Sequence, residues 1–189
     1  MIIGDPRTFA IESQITEAYG EEHRSFLGMG YVLLHISERR FGIDAPDATT
    51  MFSYDCIPDR IAARGTHTAP FSGVENPQEI ALATAIALYR EEGAGQTFFG
   101  LSNEEFQNAI YTADIKWTAD QEFDDGTNVL QFDIGDQVRL IGFINSEISS
   151  EVRQSTAEAW LSADTFYETL DHWRTAVIEE WKSLPKISR

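Results

Sequence analysis

A chain of 189 residues with 42% hydrophobic and 12% aromatic content is long enough to fold as one domain over residues 1–189. Such a domain buries about 70% of the surface its unfolded form exposes and needs neither disulfide nor metal. Thirty-one acidic against fourteen basic residues give a formal charge of −17, which disfavours nucleic acid and anionic membranes and favours a basic protein partner. The single cysteine, Cys56, excludes an internal disulfide and fits a reducing compartment. No basic leader opens the chain and no apolar run nears the roughly 20 residues of a membrane span, so the expected location is cytoplasmic.

The opening reads as an unprocessed N-terminus that passes through a Gly4-Asp5-Pro6 turn into a strand over 8–15, with Phe9, Ile11 and Ile15 on its inner face. A second strand covers 30–37 and a short third 39–43, with a polar loop at 17–25 between the first two. Residues 44–73 are interrupted by Pro46, Pro58 and Pro70, which leaves room for a short strand at 50–54, one or two helical turns and a long surface connection. Asn76-Pro77-Gln78-Glu79 is a helix start with a capping side chain, proline at the first position and an acid facing the dipole. That helix should run to about Glu92 and stop at Gly93. Its apolar residues surround the cylinder, which marks it as the central buried helix. Ser102-Asn103-Glu104-Glu105 is a capping box for a shorter helix to about Thr112.

The second half reads as a meander. Ile115, Trp117, Ala119 and Phe123 define one strand, Asp125-Gly126 a turn, Leu130, Phe132 and Ile134 a second strand, Gly135-Asp136 another turn, and 138–144 a third strand. A looser connection over 145–154 leads to a fourth strand at 156–161. Ser162 or Asp164 then caps a terminal helix with the stripe Phe166, Leu170, Trp173, Val177, Trp181 and Leu184, and Pro185 ends it. Locally paired strands with helices set apart predict an α+β single domain: an antiparallel sheet with a C-terminal meander, packed by a central and a C-terminal helix.

No group of residues demands a reaction. Gly28-Met29-Gly30 precedes a strand and has Leu33 where a dinucleotide fingerprint needs glycine. The acid run from Asp120 fails as a calcium loop, because Asp125 stands at the glycine position and Gln131 at the closing acid. His23, His35, His67 and His172 have no zinc-like spacing with one another or with Cys56. A Cys56–His67 pair is open on spacing alone, but Asp55 and Asp59 offer no electropositive help to a thiolate. The cysteine is expected to pack, and His35 to be a core histidine. The pairs Glu21-Glu22, Glu91-Glu92, Glu104-Glu105 and Glu179-Glu180 occupy adjacent positions that do not converge on a helix and read as solvated faces. The four tryptophans, Trp117, Trp160, Trp173 and Trp181, fall on the apolar phase of their elements. These readings leave catalytic, cofactor-binding and metal sites empty.

The charge is uneven: residues 93–136 carry nine acids and one base, a net −8. Asp120, Glu122, Asp124 and Asp125, extended by Asp133 and Asp136, are therefore the candidate partner-binding surface, able to steer a basic protein.

Ile3-Gly4-Asp5-Pro6 with Phe9-Ala10-Ile11, the strand from Gly30 to Ile36, Asp125-Gly126-Thr127 through Leu130-Gln131-Phe132-Asp133, Arg139-Leu140-Ile141, and Ala159-Trp160-Leu161-Ser162 form a pattern of strand and turn residues. It resembles that of the immunity protein 42 family, bacterial proteins that neutralise a toxin made by the same cell. The resemblance implies occlusion of a cognate toxin domain by stoichiometric binding, without turnover or cofactor, and it supplies no catalytic residues. Charge points to a nuclease as the toxin, since such proteins are basic. An acidic adaptor or regulatory module, and less readily a small hydrolase, are the alternatives.

Overall fold

The computed structural model describes residues 1–20, 27–49, 53–117 and 125–187. The opening residues do more than turn: β1 (Ile2–Asp5) pairs antiparallel with β2 (Phe9–Tyr19), which pairs antiparallel with β3 (Gly28–Ile36), itself paired with β4 (Arg39–Phe41). β2 carries a bulge between Ile15 and Glu17, opposite the glycine-rich start of β3. After α1 (Ile57–Ala62) and α2 (Pro77–Tyr89) come the hairpin β5 (Thr97–Phe98) and β6 (Leu101–Ser102), then α3 (Asn103–Thr112). The meander follows as β7 (Thr127–Ile134), β8 (Gln137–Ile144), α4 (Ser149–Ser155) and β9 (Ala157–Ser162). α5 (Ala163–Ser183) and β10 (Lys186–Ile187) close the chain, β10 lying parallel to the end of β2 as a fifth strand of the first sheet. The architecture is α+β.

The helix starts obey their local chemistry. Asn76 accepts from the Gln78 amide at 3.0 Å, Ser102 and Glu105 form a reciprocal capping box, and Ser162 accepts from the Thr165 amide at 3.1 Å. α2 ends three residues before the expected Glu92. Arg90 turns extended, and a 3-10 turn over Glu91–Gly93 folds back so closely that a side chain at Gly93 would stand 2.6 Å from the Ile86 carbonyl. The helix is buried along Ile80, Ala81, Ala83, Thr84, Ala85 and Ala87.

The β7–β8–β9 sheet is a central layer with a core on each face. One core joins Val129, Val138, Leu140, Ala159 and Leu161 to the first sheet and α5; the other joins Leu130, Phe132, Ile141 and Phe143 to α2 and α3. Gly142 makes the first contact possible, since a Cβ there would meet the Phe41 ring at 2.6 Å. The predicted α5 stripe is the face that packs: Phe166, Leu170, Trp173 and Val177 are buried, and Trp181 and Leu184 lie against them. Trp173 Nε1 donates to Ser13 Oγ at 2.9 Å and Trp181 Nε1 to the Tyr19 carbonyl at 2.9 Å.

Three expectations need correction, and a fourth falls largely outside the described residues. Trp160 is 42% exposed, lying over the buried Arg139 guanidinium at 5.3 Å instead of in the core. The connection 145–154 contains α4, whose only buried residue is Val152. Of the strand expected at 50–54, residues 50–52 lie outside the described residues and Ser53–Asp55 is a 3-10 turn. Of the strand expected through Ile115, Trp117, Ala119 and Phe123, residues 118–124 lie outside the described residues. The remainder meets β7 at a single bridge, Lys116 to Leu130.

Candidate functional site

Three of the expected partner-binding acids, Asp120, Glu122 and Asp124, lie outside the described residues. Asp125 is exposed, and its Oδ1 accepts from the Thr127 amide at 3.0 Å, which fixes the turn leading into β7. Asp136 is also exposed, but it sits in the β7–β8 turn, where its carbonyl accepts from Ala163 at the start of α5. The eight residues of β7 separate the two turns by about 25 Å, so these two acids do not share one face.

Asp133 is not on the surface at all. It is 7% exposed, and its carboxylate accepts from the Gly65 amide at 2.7 Å, the His67 amide at 3.3 Å and the Tyr167 hydroxyl at 2.9 Å. Gln131 Nε2 donates to both Tyr167 Oη at 2.9 Å and Asp133 at 3.3 Å, while its Oε1 accepts from Arg60 Nη1 at 2.8 Å. Arg60 reaches Asp114 at 2.9 Å and lies over the Trp117 ring at 5.4 Å. Burial, with the Asp133 charge beside it, pushes the Tyr167 phenol above its ordinary range, and burial lowers the Arg60 guanidinium from its own. This network ties α1, β7 and α5 together and faces inward. The alternation of Leu130, Phe132 and Ile134 places residue 133 on the opposite face of the strand; that face is buried too, because the sheet has a core on both sides.

The exposed acids that do gather stand at the other end of β7. A groove of about 730 Å³ is lined by Tyr89, Arg90, Glu91 and Glu92 at the end of α2 and by Glu147 and Ser149 across from them. Arg90 Nη2 donates to the Ser146 carbonyl at 2.6 Å, and Nη1 to Ser149 Oγ at 3.2 Å and Glu92 at 3.3 Å. The Tyr89 hydroxyl donates to Asn128 Oδ1 at 2.7 Å and accepts from Lys116 Nζ at 2.7 Å. The Asn145 amide donates to the Gly126 carbonyl at 2.7 Å, so the wall that carries Glu147 is joined directly to the Asp125 turn. Sequence reasoning took Glu91-Glu92 as a solvated pair and passed over Tyr89, Glu147 and Ser149. The available signal was two acids placed just after a helix terminus, where the dipole favours cations.

The groups considered for chemistry do not meet. Cys56 is exposed at the start of α1, contrary to the expectation that it packs, whereas His67 is fully buried with Nδ1 donating to the Ala113 carbonyl at 3.0 Å. His35 is a core histidine as expected, its Nε2 2.8 Å from Glu12, and His172 is exposed. Among the described residues no three His, Cys, Asp or Glu side chains are placed to hold a metal ion, and no helix is long and apolar enough to cross a membrane.

The α+β frame turns its buried ionisable groups toward one another and presents exposed acids at turns and at a helix end. The chain belongs to the immunity protein 42 family, whose model matches residues 1–176. An immunity protein acts by binding a toxin, not by turnover, so the chain is not an enzyme. The fold is similar to that of CdiI from Burkholderia dolosa AUO158, with a TM-score of 0.59 at 13% identity over 93% of this chain and 99% of that one. No curated protein sequence matches the chain.

Proposed function

We propose that this protein protects its own cell by forming a tight stoichiometric complex with one toxin domain, a basic nuclease, in the cytoplasm. The observation that carries this reading is membership of an immunity family across residues 1–176. The charge of −17 supports a basic partner, and a nucleic-acid-cleaving domain suits it because a surface that binds phosphates is basic. The docking face includes the turn at Asp125 together with Asp120, Glu122 and Asp124 next to it in sequence; Asp136, at the far end of β7, flanks a different surface.

Co-expression with the toxin domain encoded beside this gene tests the proposal. Growth should be rescued by the parent and equally by Cys56→Ser, since occlusion by binding calls for no nucleophile. Loss of protection in a folded Cys56→Ser protein would reopen a nucleophilic role, and failure of the parent to protect would reject the immunity reading.

A further inference from the structure

Two glutamates follow directly on the carboxyl end of α2, where unpaired carbonyls already carry partial negative charge and a cation is the stabilising choice. The cation is present but turned inward. The Arg90 side chain is 7% exposed and spends its guanidinium on Ser146 and Ser149, with one longer pairing to Glu92 at 3.3 Å. Glu147 faces these acids from the opposite wall of the groove, and among the described residues neither Glu91 nor Glu147 has an ion-pair partner. Glu91 and Glu92 suit the first turn of the 3-10 segment they open, but with Glu147 across the groove they gather like charges on facing walls, a departure from local rules found where a surface serves a ligand.

Two further observations are independent of the acids. Arg90 Nε is buried beside the groove and has no acceptor among the described residues, an unmade hydrogen bond of the kind native proteins seldom leave. Tyr89, 42% exposed, already holds the Lys116 ammonium 5.3 Å above its ring while accepting its hydrogen bond, so the wall of the groove is a surface that binds cations.

Resting on the immunity reading above, we propose that this groove receives an arginine side chain of the toxin. Its guanidinium lies between Glu91 and Glu92 on one side and Glu147 on the other, and a backbone carbonyl of the entering segment accepts from Arg90. A planar guanidinium fits better than an ammonium, because its fork reaches carboxylates on two walls at once and its face stacks on an aromatic ring. The volume of about 730 Å³ exceeds one side chain and admits a short stretch of the chain that carries it. The groove adjoins the Asp125 turn through the Asn145–Gly126 hydrogen bond, so Asp125 and the receiving pocket lie at the same end of β7.

The test uses the recombinant toxin domain encoded beside this gene, with the full-length immunity chain. Glu91→Gln/Glu92→Gln/Glu147→Gln alters exposed residues and relieves charge at a helix end, so its thermal midpoint should equal or exceed the parent's. It should bind the toxin at least roughly 30-fold more weakly, mainly through faster dissociation, and one arginine-to-alanine change in the toxin should reproduce the loss without adding to it. As an independent probe, N-acetyl-arginine methyl ester should shift the NMR signals of Arg90 Nε–H and the amides of Glu91, Glu92 and Ser149, whereas the neutral citrulline analogue should not. A folded triple variant with the parent's on- and off-rates overturns the pocket and leaves the immunity reading standing. A parent protein that neither binds nor neutralises the toxin removes that reading itself.

Discussion

A carboxylate inside a core is tolerable only when donors surround it, and Asp133 has two backbone amides, a phenol and a carboxamide. Tyr167→Phe removes one donor from a buried anion and one acceptor from Gln131, and should destabilise by about 1–3 kcal/mol in a denaturation midpoint series. The same residue makes the fold sensitive to alkali. Its folded-state pKa is raised, so the neutral phenol's contribution is complete below the ordinary tyrosine value of about 10 and is lost as pH rises above it. Tyr31 and Tyr54 are raised by burial as well and act in the same direction. Stability of the parent should therefore fall above pH ~10, with a smaller slope in Tyr167→Phe; an identical slope would assign alkaline sensitivity to other groups. Asp133 shows what single-strand alternation hides. The pattern of β7 identifies which residues share a face, but whether the second face meets water or another core depends on α5, whose Tyr167 lies 34 residues later in the chain.

At the scale of the element, the features legible in the sequence are those set by neighbours in the chain. The Asn76 cap, the Ser102–Glu105 box, the Ser162 cap and the α5 stripe are satisfied within a few residues, and the structure reproduces each. α4 went unseen because seven residues with one buried side chain carry no periodicity, and Trp160 because its partner is a buried cation rather than an apolar surface. The two tryptophans provide a matched measurement. Trp173→Ala empties a site 1% exposed in the main core and strands Ser13 Oγ, and should cost about 3–5 kcal/mol. Trp160→Ala removes a half-exposed ring from over Arg139, whose guanidinium keeps Glu158 and the Ser72 and Val74 carbonyls, and should cost about 1 kcal/mol or less. An unchanged midpoint in Trp173→Ala would make α5 peripheral and its aromatic stripe an interface.

Across the whole molecule the net charge predicts a basic partner, but only the fold shows which acids can act together. The net −8 of residues 93–136 is divided by the length of β7 and by the burial of Asp133. Acids at the rim of an interface act over about a Debye length, ~10 Å at 0.1 M salt, so the proposed steering at the Asp125 end should be independent of Asp136 about 25 Å away. The variant Asp120→Asn/Glu122→Gln/Asp124→Asn/Asp125→Asn should therefore slow association by roughly ten-fold at low ionic strength and flatten its dependence on salt, with little change in dissociation. Asp136→Asn should alter neither rate. A four-site variant whose dissociation quickened instead would place one of these carboxylates against a toxin arginine within the buried part of the interface. Unchanged rates at low salt would move the steering surface to the segments at 17–24 or 55–64, which also carry acids. With complex lifetime assigned by proposal to the groove glutamates and its rate of formation to the turn acids, the two sets should separate cleanly in off- and on-rates measured on the same toxin.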